Sequence, residues 1–166
     1  MISLRRATLD DVDWLVDLVQ DDDTEPFLAP HRLDRDAVVA DVERSLREPE
    51  RFGRLIVEVD GQRAGVMGFE ERSDANRIVS LGGLAVHPAF RGRGVADEAA
   101  RLLQRYLFGL GYHRLELACY GFNERAINHA ERAGFVREGV KRKAYLRHGE
   151  WQDAVQFGLL REDVES

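Results

Sequence analysis

Cysteine is almost absent. With Cys119 alone, no disulfide can form within the chain, and the composition suits a reducing compartment, so a cytoplasmic protein is expected. Long apolar runs are missing too. None approaches the about 20 residues of a membrane helix, and "MISLRRATLDD" turns polar too early for a secretory signal, so no membrane partner is expected. Metal chemistry lacks its ligands: histidines 31, 87, 113, 129 and 148 have no ligand spacing, and no metal is expected. A dinucleotide fingerprint fails because Gly92-x-Gly94-x-x runs into Asp97 where a third glycine belongs. Neither a P-loop string nor a G-x-S-x-G elbow occurs. A net charge of −6 with only 8% aromatics argues against nucleic acid as a partner.

What is present is a globular composition, 44% hydrophobic and 33% charged, over 166 residues, enough for one domain spanning 1–166 with its own core. The charge is unevenly spread. Residues 1–50 carry 14 Asp/Glu against 6 Arg, whereas residues 82–147 carry 12 basic residues against 6 acidic. An acidic front and a basic middle suggest partners of opposite sign, although acidic helices are also simply well-solvated faces.

Periodicity and turn chemistry divide the chain into β-α-α-β-β-β-α-β-α-β-β. "ISLRRA" reads as a strand, Thr8 caps a helix bearing Leu15 and Val19, and "DDDTEPFLAPHR" is a loop. Asp34 caps a second helix with Val38, Val42 and Leu46 along one side. "FGRLIVEV" and "RAGVMGFEE" form a hairpin across Asp60-Gly61, and "RIVSLGGLAVH" is a third strand that Gly82-Gly83 should weaken or bulge. The next helix shows Val95, Ala99, Leu102, Leu103, Tyr106 and Leu110 at spacings of three and four. "HRLELACY" is a strand, Asn123 caps a helix that Gly134 ends, and a hairpin across "RHGE" closes the chain. The fold class is α/β (α+β): a central mixed, mostly antiparallel twisted sheet flanked by about four helices, with one parallel right-handed crossover between about 77 and 120.

That crossover carries the stretch with the most chemistry, "VHPAFRGRGVADEAARLLQ". A helix beginning near Gly92 to Gly94 exposes its first N–H groups and the positive end of its dipole. Glycines there let a phosphate approach without a Cβ in the way, and Arg91 and Arg93 add charge. The string suits a pyrophosphate, or a plain glycine turn with two solvated arginines.

Arg91-x-x-Gly94-x-Ala96 resembles the Q/R-x-x-G-x-G/A acyl-CoA signature of the GNAT superfamily of N-acetyltransferases. "NERAINHAERAGF" and "EGVKRKAYLRHGEWQDAVQFGLL" are similar to its following segments, the latter as in the ribosomal-protein N-terminal and spermidine-type branch. The resemblance implies acetyl-CoA as cosubstrate and direct attack by a neutral amine on the thioester. It implies that Arg91, Gly92, Arg93, Gly94, Val95 and Ala96 offer N–H groups to the pyrophosphate. Leu84, Ala85 and Val86 would pair with the pantetheine arm, and Asn123 would contact the arm, cap its helix, or both. The tyrosine that many members place seven residues after that asparagine is Ala130 here, which leaves Tyr120, Tyr145 or water as proton donor. No glutamate stands in residues 79–83, so Glu116, on the face of its strand opposite Leu115, Leu117 and Cys119, is the first candidate base; Glu70 and Glu71 are the reserve. Cys119 reads as core, His87 as a strand end, and Trp151 and Asp153 as packing and hydrogen-bonding elements of the last hairpin. The acceptor is expected to be an amine, with Asp21, Asp22, Asp23 and Glu25 available to attract a cation. The arrangement leaves room for a homodimer. A module of the same fold that binds acyl-CoA without turnover is the alternative.

Overall fold

The strands form because β-branched and aromatic residues alternate with small or polar ones, and both faces of the resulting sheet find helices to cover them. The computed structural model describes residues 1–21, 24 and 34–165. Strand β1 (Ile2–Arg6) is followed by helices α1 (Val12–Val19) and α2 (Arg35–Arg47). Strands β2 (Phe52–Val59), β3 (Gln62–Ser73) and β4 (Ile78–Val86) form a meander. Helix α3 (Val95–Gly109) crosses over to β5 (Arg114–Tyr120), and α4 (Glu124–Arg132) leads to the hairpin of β6 (Val136–Arg147) and β7 (Glu150–Leu160). A short helix, α5 (Arg161–Glu165), was not evident from periodicity, because five residues hold barely more than one turn. The expected order of elements is otherwise the observed one.

The seven strands lie in the order β1-β2-β3-β4-β5-β7-β6, and every neighbouring pair is antiparallel except β4 with β5. Helices α1 and α2 cover one face, where Val12, Leu15, Leu18 and Val42 pack on Ile56, Val66 and Ala85. Helices α3 and α4 cover the other, where Ala99, Leu103 and Leu107 meet Leu55, Val79, Leu115 and Phe157.

Two helical faces are rotated from the expected ones. In α2, Ser45 is fully buried and Leu46 is 47% exposed. The hydroxyl of Ser45 accepts the Arg54 N–H at 2.8 Å and a bond from Arg6 at 2.9 Å, so a small polar residue sits where the helix meets the β2 backbone. In α3, Tyr106 lies at the rim while Gln104 is buried, its amide donating to the Ala133 carbonyl at 3.0 Å. Periodicity reports which side is apolar, and these hydrogen bonds shift it by one residue.

One carboxylate is almost wholly buried. Asp11 begins as the partner of Thr8, whose N–H it accepts at 2.8 Å. It also takes both terminal nitrogens of Arg5 at 2.8 Å and Nε of Arg63 at 2.8 Å, joining β1, α1 and β3. The Arg5 bonds hold its carboxyl far below the ordinary carboxylate range, against burial, which acts the other way; Thr8 and Arg63 add to the lowering. A depressed acid stabilises the fold above its unfolded pKa of about 3.9 and loses that contribution as pH falls further. Asp11→Asn is therefore expected to cost about 2 kcal/mol at pH 7 in chemical denaturation. The gap from the parent should narrow progressively below about pH 4.

Candidate active site

The site starts where the parallel pair ends. Strands β4 and β5 are in register at Ile78/Arg114, Val79/Leu115 and Ser80/Glu116 and nowhere beyond. From Leu81 onward β4 keeps its pairing with β3 alone, so a fork opens whose β5-facing edge of β4 has no strand partner among the described residues. The β3–β4 register shifts between Val66 and Gly68, which is the bulge that Gly82-Gly83 announced. Gly83 takes φ +65°, and the Arg54 guanidinium, paired with Asp41 at 2.7 Å, crosses over Gly68 and Gly83, where a Cβ would strike it. Leu84 and Val86 border the α3 side of the fork, while Ala85 is buried against α1 and α2.

At the end of β4, His87 accepts the Ala89 N–H at 3.1 Å and caps a 3-10 turn, Pro88–Phe90. The chain then passes Gly92 at φ +76° and Gly94 at φ +70°, both left-handed, and α3 begins with Gly94 as its N-cap. A Cβ added at Gly92 or Gly94 would meet no atom of the other described residues within 4 Å, so the turn is open toward them. The amides of Val95 and Ala96 stand in the first turn of α3, where no intrahelical acceptor precedes them. The two arginines are used differently from one another. Arg93 lies 5.4 Å from the Phe90 ring centroid and is exposed. Arg91 donates Nε to the Val86 carbonyl at 3.1 Å and Nη2 to Thr24 Oγ1 at 3.1 Å, and its own amide reaches the Pro88 carbonyl at 3.3 Å. Asp97, in the first turn, would be raised by burial, but bonds from Arg132 and His129 outweigh that and lower it, tying α3 to α4.

On the α1/α2 face, Glu70, Ser80 and Glu116 form one row across β3, β4 and β5 at the closed end of the fork. The two carboxylates flank Ser80 at two strand spacings, about 10 Å. Glu70 is gripped by Arg44 at 2.8 Å and Arg72 at 3.1 Å. Glu116 gives one oxygen, Oε1, to Arg114 Nε at 2.8 Å, and Arg114 is shared with Glu138 of β6. Glu71 points to the opposite face, where it receives the Tyr112 hydroxyl at 2.9 Å.

Tyr145 reaches the same face as Glu116 from β6. Its ring stands edge-on to Tyr120 at 5.3 Å, four residues along β5 from Glu116, a rise of about 13 Å. Burial, then the neighbouring Tyr120 and Cys119, push its hydroxyl upward, so it stays protonated at neutral pH. Asn123 caps α4, its Oδ1 accepting the Ala126 N–H at 3.2 Å, and is buried at the open end of β5. Cys119 is core: burial pushes its thiol up to about 11, which leaves no thiolate for nucleophilic work. Ala130 is buried against the core. Asp153 accepts the Lys143 N–H at 2.8 Å as a hairpin element, whereas Trp151 is 59% exposed. Asp10, Asp13 and Asp17 lie on the exposed face leading into and along α1, and Asp21 is half-buried after it. Asp22, Asp23 and Glu25 lie outside the described residues.

Sequence reasoning missed the Arg91–Thr24 bond and the Arg114–Glu138 pair. Their partners are far apart in the chain and no local pattern joins them; only the facing of strands and turns does.

A family model described as an acetyltransferase (GNAT) domain matches residues 2–136. An uncharacterized prophage-derived N-acetyltransferase of Bacillus subtilis, YokL, is 34% identical over 71% of this chain and 67% of its own length. A spermidine N(1)-acetyltransferase of Escherichia coli is 30% identical over 65% of this chain, and the match spans 58% of that relative. Among solved structures, a spermidine N-acetyltransferase from Vibrio cholerae, in complex with CoA and spermine, superposes with a TM-score of 0.86 at 20% identity, covering 99% of this chain and 98% of that one. At that identity the likeness is one of fold. A probable GNAT-family acetyltransferase from Chromobacterium violaceum gives 0.83 at 26% identity, covering 99% and 85%.

The open turn yields a direct expectation. Gly94→Glu places a side chain and a negative charge in the concavity at a left-handed φ, and CoA binding by calorimetry should weaken by at least about tenfold. Gly94→Ala, which adds the φ penalty of about 1 kcal/mol without the charge, should weaken it less. Equal affinity for CoA in a folded Gly94→Glu variant would place the cosubstrate elsewhere.

Proposed function

This chain belongs to the GNAT acetyltransferase family, whose cosubstrate is acetyl-CoA, and from that premise we propose that it moves an acetyl group from acetyl-CoA to the primary amine of a cationic acceptor. The observation that carries the reading is the fork itself. A β4 edge with no strand partner among the described residues, running from the bulge at Gly83 to a doubly left-handed glycine turn, suits an extended arm ending in a pyrophosphate. In this reading the pyrophosphate lies on the N–H groups from Gly92 to Ala96 and the arm pairs along Leu84 to Val86. The thioester then reaches the bulge, beside the Glu70–Ser80–Glu116 row.

The chemistry there is a direct transfer. The amine lone pair attacks the thioester carbon, a backbone N–H of β4 receives charge on the carbonyl oxygen, and the C–S bond breaks to release CoA thiolate. The acceptor arrives as an ammonium with a pKa near about 10.4 and must lose a proton first. Glu116 is proposed to take it through one water: it stands at the vertex of the fork and shares a single arginine, whereas Glu70 is held by two. The adduct nitrogen loses its second proton as the amide forms, and that proton is proposed to reach the thiolate through water and Tyr145. Tyr145, which is protonated on the same face, gives its own proton toward sulfur and regains one from the nitrogen side. A thiolate, with a thiol pKa of about 8.5, leaves readily enough that this donor contributes modestly.

The acceptor is proposed to enter between helices α1 and α2 and the last hairpin. The acidic first 50 residues, and the spermidine acetyltransferases among the relatives, support a polyamine-like cation. Thiol release from acetyl-CoA with cationic and neutral amines at two salt concentrations tests this. Cationic amines should react faster, with a KM that rises with salt as charges are screened over a Debye length of about 8 Å. Equal, salt-insensitive rates would remove the electrostatic account, and CoA binding without turnover of any amine would favour the sensing module. Glu116→Gln should lower kcat about 100-fold at pH 7 and recover toward the parent above pH 9, where the amine deprotonates unaided. A parental rate at pH 7 would take Glu116 out of the mechanism.

A further inference from the structure

The first residue of the glycine turn has its polar groups turned inward. Arg91 spends its amide on Pro88, its Nε on the Val86 carbonyl and its Nη2 on Thr24. Thr24 is 4% exposed, and its hydroxyl, accepting from Arg91, donates in turn to the Asp21 carboxylate at 3.3 Å. The Thr24 N–H also closes onto the Asp21 carbonyl at 2.9 Å. A cation, a hydroxyl and a carboxylate thus stand in series from the cosubstrate turn to the residue that follows α1. Charge at both ends polarises the hydroxyl between them.

We infer that Arg91 is a positioning residue: through Thr24 it fixes the Asp21 carboxylate beside the cosubstrate turn, so that the acetyl-CoA site and the recognition of a cationic acceptor are coupled. The inference rests on the function proposed above and deepens it. Because Arg91 is anchored to the strand end at Val86, a ligand that orders the 91–96 turn also orders Asp21. By linkage, a cation on Asp21 strengthens cosubstrate binding by the same factor. Neither the amide nor the guanidinium of Arg91 then needs to touch phosphate, and the N–H groups from Gly92 onward hold it.

The test uses Thr24, which lies outside the proposed catalytic and cosubstrate-binding residues. Valine has nearly the shape of threonine and no hydroxyl, so Thr24→Val cuts the series without opening a cavity. It should raise KM for cationic amines about tenfold, comparable to Asp21→Asn, with KM for neutral amines, kcat and CoA affinity each within about twofold of the parent. Thr24→Ser, which keeps the oxygen, should restore KM. A Thr24→Val enzyme with parental KM for cations, or one whose KM rises equally for neutral amines, overturns the inference. A second measurement needs no acceptor: hydrogen exchange at the Thr24 amide with and without CoA. Added CoA should slow exchange in the parent and leave Thr24→Val unchanged. CoA that binds without altering exchange at residue 24 overturns the coupling while the proposed function stands; a parent protein that binds no CoA overturns both.

Discussion

Everything the site can do depends on β4 and β5 parting after three paired residues. Backbone N–H and C=O groups in a sheet need partners, and an edge left open inside the molecule invites an extended ligand to supply them. The parting has identifiable causes on both strands. On β4 the bulge at Gly82-Gly83 twists the chain away and leaves it bound to β3 alone. On β5, β7 claims all seven residues from Arg114 to Tyr120, so that strand is carried off with the terminal hairpin. The arginine of Arg54 crossing Gly68 and Gly83 fills the space that side chains would otherwise dispute, and keeps the bulge where it is.

The two faces of the sheet have separate duties. The α3/α4 face is nearly all apolar and holds the crossover in place, with Asp97 stapling the start of α3 to α4 through His129 and Arg132. The α1/α2 face carries the charges: Asp11 with Arg5 and Arg63, Asp41 with Arg54, Glu70 with Arg44 and Arg72, and Glu116 with Arg114. Most of these carboxylates are held by an arginine that comes from another element, so charge pairs add to the apolar packing of α1 and α2 on this side of the sheet. The guanidinium group, with its fixed fork of donors, suits that work better than lysine would. All six Lys/Arg of the first 50 residues are arginine.

Such a face gives proton chemistry a narrow place to occur. Glu70 and Glu71 are each committed, one to two arginines and the other to Tyr112 on the far side of the sheet, whereas Glu116 stands at the fork vertex and, among the described residues, is bonded to Arg114. Cys119, although close to the fork in sequence, has its thiol raised by burial and belongs to the core.

The sequence by itself determined the order of elements, the caps at Asp34 and Asn123, an irregularity at Gly82-Gly83 that the structure shows to be a bulge, and the glycine turn before α3. Each depends on residues within a few positions of one another, through turn chemistry, capping and periodicity. It missed α5, too short to show a period, and it turned α2 and α3 by about one residue. Ser45 and Gln104 owe their burial to backbone groups of other elements, which a hydrophobic pattern does not contain. Glu116 could be assigned to a face from alternation, but not to the end of the fork or to Arg114 and Glu138. The partnership of Arg91 with Thr24, 67 residues away, was likewise invisible. Those facts belong to the tertiary structure, because they depend on which strands are neighbours and where two of them separate, and no spacing along the chain records that.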